Sequence, residues 1–110
     1  MRVAYVMGSE NARKTVRDMI VPQMEAGEHE AEVVAMFFTY DTTFMLLKDT
    51  DLGNRLQKLA DEKGMMIVAC DQCVIEREID DKLIPAANIG CFPVVYGALQ
   101  SADIDQIISI

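Results

Sequence analysis

The stretch from Met65 to Arg77 constrains the fold of this chain more than any other segment. Its first five residues, Met65 to Ala69, are all apolar and show no alternation of apolar and polar positions, and Gly64 stands before them. Such a run is typical of a parallel strand that is covered on both faces. Cys70 follows at the end of the predicted strand, so its thiol is expected in the crevice where open parallel sheets bind ligands.

Two thiols with the spacing Cys-x-x-Cys, Cys70 and Cys73, stand at the junction between this strand and a polar segment that is predicted to be helical. Asp71 is placed to cap that helix. A thiol at the start of a helix gains from the partial positive charge of the exposed amide groups, which favours the thiolate. Arg77 would add to this effect only if the chain folds back toward the thiols, and neighbouring acids act in the opposite direction. The sequence leaves the direction of the net pKa shift open.

Strands and helices alternate along the chain, which predicts an α/β fold with a parallel or mostly parallel sheet. The predicted strands cover residues 2–7, 31–40, 65–69 and 104–110. The predicted helices follow Gly8-Ser9, begin at residues 41–43, cover residues 52–60 and cover residues 94–99. Pro22 is expected to break or kink the first helix, and Gly64 to end the third. Residues 84–90 are interpreted as a connector.

Two polar features have a functional and an ordinary interpretation. Gly8-Ser9 before a helix is a candidate anion site, but phosphate cradles use several glycines, so an ordinary strand-to-helix turn is expected. His29 is the one histidine of the chain and lies between acidic residues in a predicted connector. Metal binding or proton transfer by His29 is the alternative to a solvated side chain, which is the expected state.

Length, charge and composition limit the number of domains and the kinds of partner that the chain can have. With 110 residues the chain is expected to form one domain over residues 1–110. Its net charge of -8 disfavours nucleic acid and anionic membranes as partners. The apolar segments are too short to span a bilayer and the first residues lack the order of a signal peptide, so a cytoplasmic protein is expected. Eight methionines and an apolar fraction of 51% favour a homo-oligomer.

Several short motifs occur in order along the chain. They are a first strand that ends near Gly8, the aromatic-Thr-aromatic-Asp turn of residues 38–41, the Cys-x-x-Cys-x-x-x-Arg segment of residues 70–77, and Ala102-Asp103 before a strand rich in isoleucine. Over nearly the whole chain this order resembles the DsrE/DsrF-like sulfur-relay family. The family often has Arg-Gly where this chain has Arg77-Glu78, so the local turn is expected to differ.

The resemblance implies a DsrE-like three-layer α/β sandwich with a mostly parallel five-stranded sheet, in a trimer or hexamer. It also implies that Cys70 carries sulfur as a persulfide, with Cys73 as an auxiliary thiol, and that sulfur donor and acceptor proteins load and unload it. Any turnover would be that of a sulfurtransferase-like carrier. The candidate substrate-binding residues beside these thiols are Tyr40, Asp41, Arg77 and Cys91.

Three other uses of the thiols remain open from the sequence. Cys70 and Cys73 suit the reversible disulfide of a dithiol redox switch, although the aromatic and proline context of thioredoxins is missing. Cys70, Cys73 and Cys91 together are a possible metal or cluster site, but three thiols fall short of the usual four-ligand set, so no metal and no cofactor are predicted. The last alternative is a structural or regulatory homo-oligomer whose cysteines pack as small apolar side chains.

Overall fold

A computed structural model describes residues 1–110 as one five-stranded sheet with helices on both faces. The strands are β1 (Arg2–Met7), β2 (Glu32–Phe38), β3 (Met66–Cys70), β4 (Ala87–Gly90) and β5 (Gln106–Ser109). The helices are α1 (Asn11–Thr15), α2 (Val21–Glu25), α3 (Asp51–Lys63), α4 (Asp71–Glu76) and α5 (Phe92–Gln100). A π-helical segment, Val16–Ile20, joins α1 to α2, and a 3-10 helix, Tyr40–Leu46, follows β2.

The strand order is β4-β3-β2-β1-β5, and every neighbouring pair is parallel. The predicted α/β sandwich with five strands is therefore confirmed, and its sheet is parallel throughout. Because the strands are parallel, all of their carboxyl ends lie at one edge. The interpretation of residues 84–90 as a connector is wrong, since Ala87–Gly90 pairs with β3 and sets Gly90 beside Cys70.

The two faces of the sheet are covered to different degrees. One face packs against α1 to α4 and forms a cluster of 21 buried residues. The cluster on the other face has only five buried residues, which are Phe37, Val68, Cys70, Cys73 and Val95. Val95 is also the one buried residue of α5. We call this second face, with α5 over it, the thin side of the sheet, and both thiols of the Cys-x-x-Cys segment lie on it.

The helix boundaries follow the sequence closely. A break or a kink was predicted at Pro22, but the chain stays helical through Pro22 to Glu25. The π-helical segment ends directly before α2, so Pro22 lies in the first turn of α2, where proline is tolerated. The α3 helix begins after Thr50, whose side-chain oxygen accepts the N–H of Gly53, and it ends at Gly64 with a φ of 68°, as predicted. No helix is both long enough and apolar enough to cross a bilayer.

His29 is hydrogen-bonded and half-buried, so the expectation of a solvated side chain is wrong. Its Nε2 lies 2.8 Å from the hydroxyl of Tyr5, and its Nδ1 lies 2.9 Å from Oε1 of Gln23. The imidazole thereby joins β1 to α2. Burial lowers the pKa of His29, because the charged imidazolium loses hydration.

We expect His29 to make the protein less stable as the pH falls from about 7 to about 5.5. The unfolded chain protonates this imidazole near its ordinary pKa of about 6.5, whereas the folded chain does so only at a lower pH. The unfolded state binds more protons in this window, so stability present above it declines as the pH falls. Thermal unfolding measured against pH should show a smaller loss for His29→Gln, which keeps hydrogen-bonding atoms but does not titrate. An unchanged profile in this variant would contradict the assignment.

Candidate functional site

Cys70 is the last residue of β3 and directly precedes the first turn of α4. The strand-end position predicted for this thiol is confirmed, and only 7% of the residue is exposed. Cys70 itself occupies the N-cap position of α4, so the prediction that Asp71 caps this helix is wrong. Asp71 lies in the first turn instead, where its Oδ1 accepts the N–H of Gln72 at 2.7 Å.

Burial raises the pKa of the Cys70 thiol, because the thiolate would lose hydration. The nearby amide groups of Cys73 and Gln72 oppose this rise in pKa, whereas the nearby thiol of Cys73 adds to it. The net shift, whose direction the sequence left open, is upward. The resting thiol is therefore held in its protonated form, which reacts slowly with oxidants.

The register of β3 and β4 brings Cys91 close to Cys70. Cys70 pairs with Gly90 across the two strands, and Cys91 follows Gly90 at the N-cap position of α5. The sulfur atoms of Cys70 and Cys91 and a carboxylate oxygen of Asp71 all lie within 4.8 Å of one another. The fold thus groups two cysteines with an aspartate, and Cys73 is outside this group.

Arg77 connects α4 to the turn that follows β2. Its Nε donates to Oδ1 of Asp41 at 2.8 Å, and its Nη1 donates to the carbonyl oxygen of Cys73 at 3.3 Å. The two halves of the sequence motif, the turn that contains Asp41 and the Cys-x-x-Cys segment, are therefore joined by one side chain. Both bonds position α4, and neither reaches a sulfur atom.

Tyr40 has a φ of 50°, which is uncommon for a residue other than glycine. Buried threonines hold the turn: Oγ1 of Thr39 donates to the carbonyl of Met7 at 2.7 Å, and Oγ1 of Thr42 accepts the N–H of Thr39 at 3.0 Å. The strand predicted to reach Tyr40 therefore ends at Phe38. Tyr40 is 63% exposed at the carboxyl edge of the sheet.

Glu78 follows Arg77 with a φ of 56°, the left-handed region that glycine enters without steric cost. We expect Glu78→Gly to raise the free energy of unfolding by about 0.5–1 kcal/mol. Glycine relieves the backbone strain in the folded state, and this gain is partly offset by the conformational freedom that glycine adds to the unfolded chain. Denaturant unfolding measures the change. Glu78→Ala removes the same charge but keeps a Cβ atom, so it should not stabilise. An equal gain in both variants would assign the effect to charge instead.

Gly8 and Ser9 form an ordinary turn, as predicted. Their amide groups donate to the carbonyl oxygen of Ile110 at 2.8 and 3.4 Å, so they are not free for an anion. A cleft of about 670 Å³ beside this turn is lined in part by Arg13, Arg17 and Asp41. Arg13 and Arg17 were not predicted as site residues, although their spacing of four residues places them on one helix face.

The sequence profile of the DsrE/DsrF-like family matches residues 1–106. None of the curated proteins matches the sequence. The fold is similar to that of the ychN protein from E. coli, with a TM-score of 0.65 at 18% identity, covering 99% of this chain and 97% of that one. It is also similar to that of a protein of unknown function from Methanobacterium thermoautotrophicum, with a TM-score of 0.66 at 14% identity, covering 99% of this chain and 97% of that one. A third similar structure is that of a conserved protein of unknown function from Bacteroides thetaiotaomicron, with a TM-score of 0.66 at 12% identity, covering 98% of this chain and 94% of that one. At these identities the likeness shows the fold alone.

Proposed function

Because this chain belongs to the DsrE/DsrF-like family, which is associated with sulfur relay, we propose that it accepts sulfur as a persulfide on Cys70 and passes it to a partner. The observation that carries the proposal is the shielded thiol at the end of β3, with the first turn of α4 beginning directly after it. A terminal sulfur anion needs hydrogen-bond donors, protection from water and access for a partner. A nearly buried thiol at the start of a helix suits the first two needs, and the 7% of the residue that is exposed at the carboxyl end of β3 is the point of access for a partner.

Loading transfers one sulfur atom between two thiols. The Cys70 thiol gives up its proton and attacks the outer sulfur of a donor persulfide. The sulfur–sulfur bond of the donor breaks, and the donor leaves as a thiolate that takes up the proton. Cys70 then carries one additional sulfur and is oxidised from a thiol to a persulfide, while the donor persulfide is reduced to a thiol by the same two electrons, so no external oxidant is needed. Unloading repeats the same step with the thiol of an acceptor protein as the attacking group.

The residues around Cys70 receive auxiliary roles in this proposal. The Cys73 thiol lies near the Cys70 thiol and tunes its acidity. The exposed ring of Tyr40 and the carboxylate of Asp41 form a rim on which donor and acceptor proteins dock, and Arg77 positions that rim against α4. Cys91 borders Cys70 from α5 and contacts the incoming sulfur. Three free cysteines suit a reducing compartment, so we assign the protein to the cytoplasm.

We further propose that the carrier is a homo-oligomer, with a trimer or hexamer implied by the family. The thin side of the sheet supports this, because three large side chains of α5 are about half exposed, namely Phe92, Val94 and Tyr96. Ile107 of the edge strand β5, which pairs with Ala4 on the same face, is also exposed. Monomeric proteins rarely leave large apolar patches in water, and a second copy of the chain would bury this one.

Intact-protein mass spectrometry after incubation with a persulfide donor tests the carrier role. We expect a gain of one sulfur atom per chain that a thiol reductant removes. The second candidate is the dithiol switch, which the packing of Cys70 and Cys73 in one cluster favours. No gain of sulfur, together with the loss of two hydrogens on mild oxidation, would support that switch. No change in either treatment would support the structural oligomer.

A further inference from the structure

We propose that Cys70, Asp71 and Cys91 form a binding site for a thiophilic divalent cation, represented by zinc. The three ligand atoms come from the end of β3, the first turn of α4 and the start of α5. Two thiolates and one carboxylate are a donor set that zinc accepts, whereas magnesium and calcium take oxygen ligands. The site does not depend on the sulfur-carrier function.

The geometry of the three ligand atoms is close to what the ion requires. They lie within 4.8 Å of one another, so one point lies within about 2.8 Å of all three. Zinc–sulfur bonds are about 2.3 Å long and zinc–oxygen bonds about 2.0–2.2 Å. The remaining contraction is below about 1 Å for each ligand, a distance that side-chain rotation supplies without backbone movement.

The surroundings of Asp71 favour a cation. Asp71 takes part in none of the ion pairs of the chain, so no lysine or arginine neutralises it, in contrast to Asp41, which Arg77 holds. One of its oxygens accepts the N–H of Gln72 at 2.7 Å, which orients the carboxylate and leaves the other oxygen free. The net charge of -8 also attracts cations to the protein.

The position of the two thiols is fixed by the sheet. Cys70 and Cys91 come from different elements, and the pairing of Cys70 with Gly90 sets how close they approach. Zinc binding would release one proton from each thiol to solvent and would leave a fourth coordination position open. Since the ion and a persulfide would use the same Cys70 sulfur, we expect bound zinc to block sulfur loading.

Metal titration of the full chain tests the site. Cadmium is the optical probe, followed by its thiolate charge-transfer absorption, and native mass spectrometry gives the number of zinc ions per chain. We expect one ion per chain, and at least about tenfold weaker binding in Cys91→Ser and in Asp71→Asn. Cys73→Ser is the matched control, because it removes a nearby thiol outside the ligand group; it should bind at least as tightly as the parent, since the Cys73 thiol contributes to the raised pKa of Cys70.

Three outcomes would overturn the site. They are no binding by the parent, unchanged binding in both Cys91→Ser and Asp71→Asn, and a loss in Cys73→Ser as large as that in Cys91→Ser. Asp71→Asn changes a partly exposed side chain without changing its shape, so it tests the site even if a cysteine variant fails to fold. Metal binding is measured without any sulfur donor, so its failure is distinguishable from failure of the carrier proposal.

Discussion

Cys70→Ser is expected to abolish sulfur loading while leaving the fold intact. Serine has nearly the shape of cysteine, but its hydroxyl is not ionised near neutral pH and does not form the bond to sulfur that a thiolate forms. Under conditions in which the parent gains one sulfur atom, the variant should gain none. The measurement is a time course of intact mass with a persulfide donor, accompanied by circular dichroism as a check on folding.

The two other cysteines provide the controls for this experiment. Cys73→Ser and Cys91→Ser change the environment of the accepting sulfur but keep the sulfur itself, so both should still load, at altered rates. In Cys73→Ser, one contribution that raises the pKa of Cys70 is removed, so more thiolate is present and loading should be at least as fast as in the parent. Loading that persists in Cys70→Ser and disappears in Cys73→Ser would assign the carrier to Cys73.

The elements that could be predicted from the sequence are those with strong local signals. The uninterrupted apolar run before Cys70 predicts a buried parallel strand, and Gly64 predicts the end of α3. By contrast, β4 has four residues, of which Asn88 and Ile89 are exposed, so it has no apolar run. It forms because the edge of β3 offers hydrogen-bonding partners, and Asn88 adds a side-chain bond to the carbonyl of Ile67 at 3.2 Å.

The candidate site could be predicted only in part, because local sequence signals place Cys70 but not the residues around it. Cys70 follows a strong strand signal, so its position was predictable. Its closeness to Cys91 depends on the register between β3 and β4, which involves residues far apart in the sequence. The inclusion of Asp71 in the thiol group depends on side-chain direction within the first turn of α4. Local patterns carry neither kind of information, so the sequence indicated three cysteines where the fold brings together two cysteines and a carboxylate.

Tyr96→Glu is expected to dissociate the proposed homo-oligomer. Tyr96 is 57% exposed on α5, and its ring centroid lies 6.0 Å from that of Phe92. A carboxylate placed there would be buried at the subunit interface without a partner, on a chain whose net charge is already -8. Burial of an uncompensated charge costs several kcal/mol, and about 3 kcal/mol already weakens association about a hundredfold. Light scattering coupled to size-exclusion chromatography should report a smaller particle than for the parent.

Met19→Glu is the matched control, because Met19 is 46% exposed on the π-helical segment at the opposite side of the sheet. The same charge change there should leave the assembly intact, and dissociation of both variants would point to total charge instead of the α5 surface. A parent that is monomeric at all concentrations would contradict the homo-oligomer.

Phe92 packs edge-on against Phe37, with ring centroids 5.2 Å apart, and Phe37 belongs to the cluster that contains Cys70. In the single chain 7% of Cys70 is exposed. If the assembly covers this remainder through the α5 surface, Cys70 should be alkylated faster in Tyr96→Glu than in Met19→Glu.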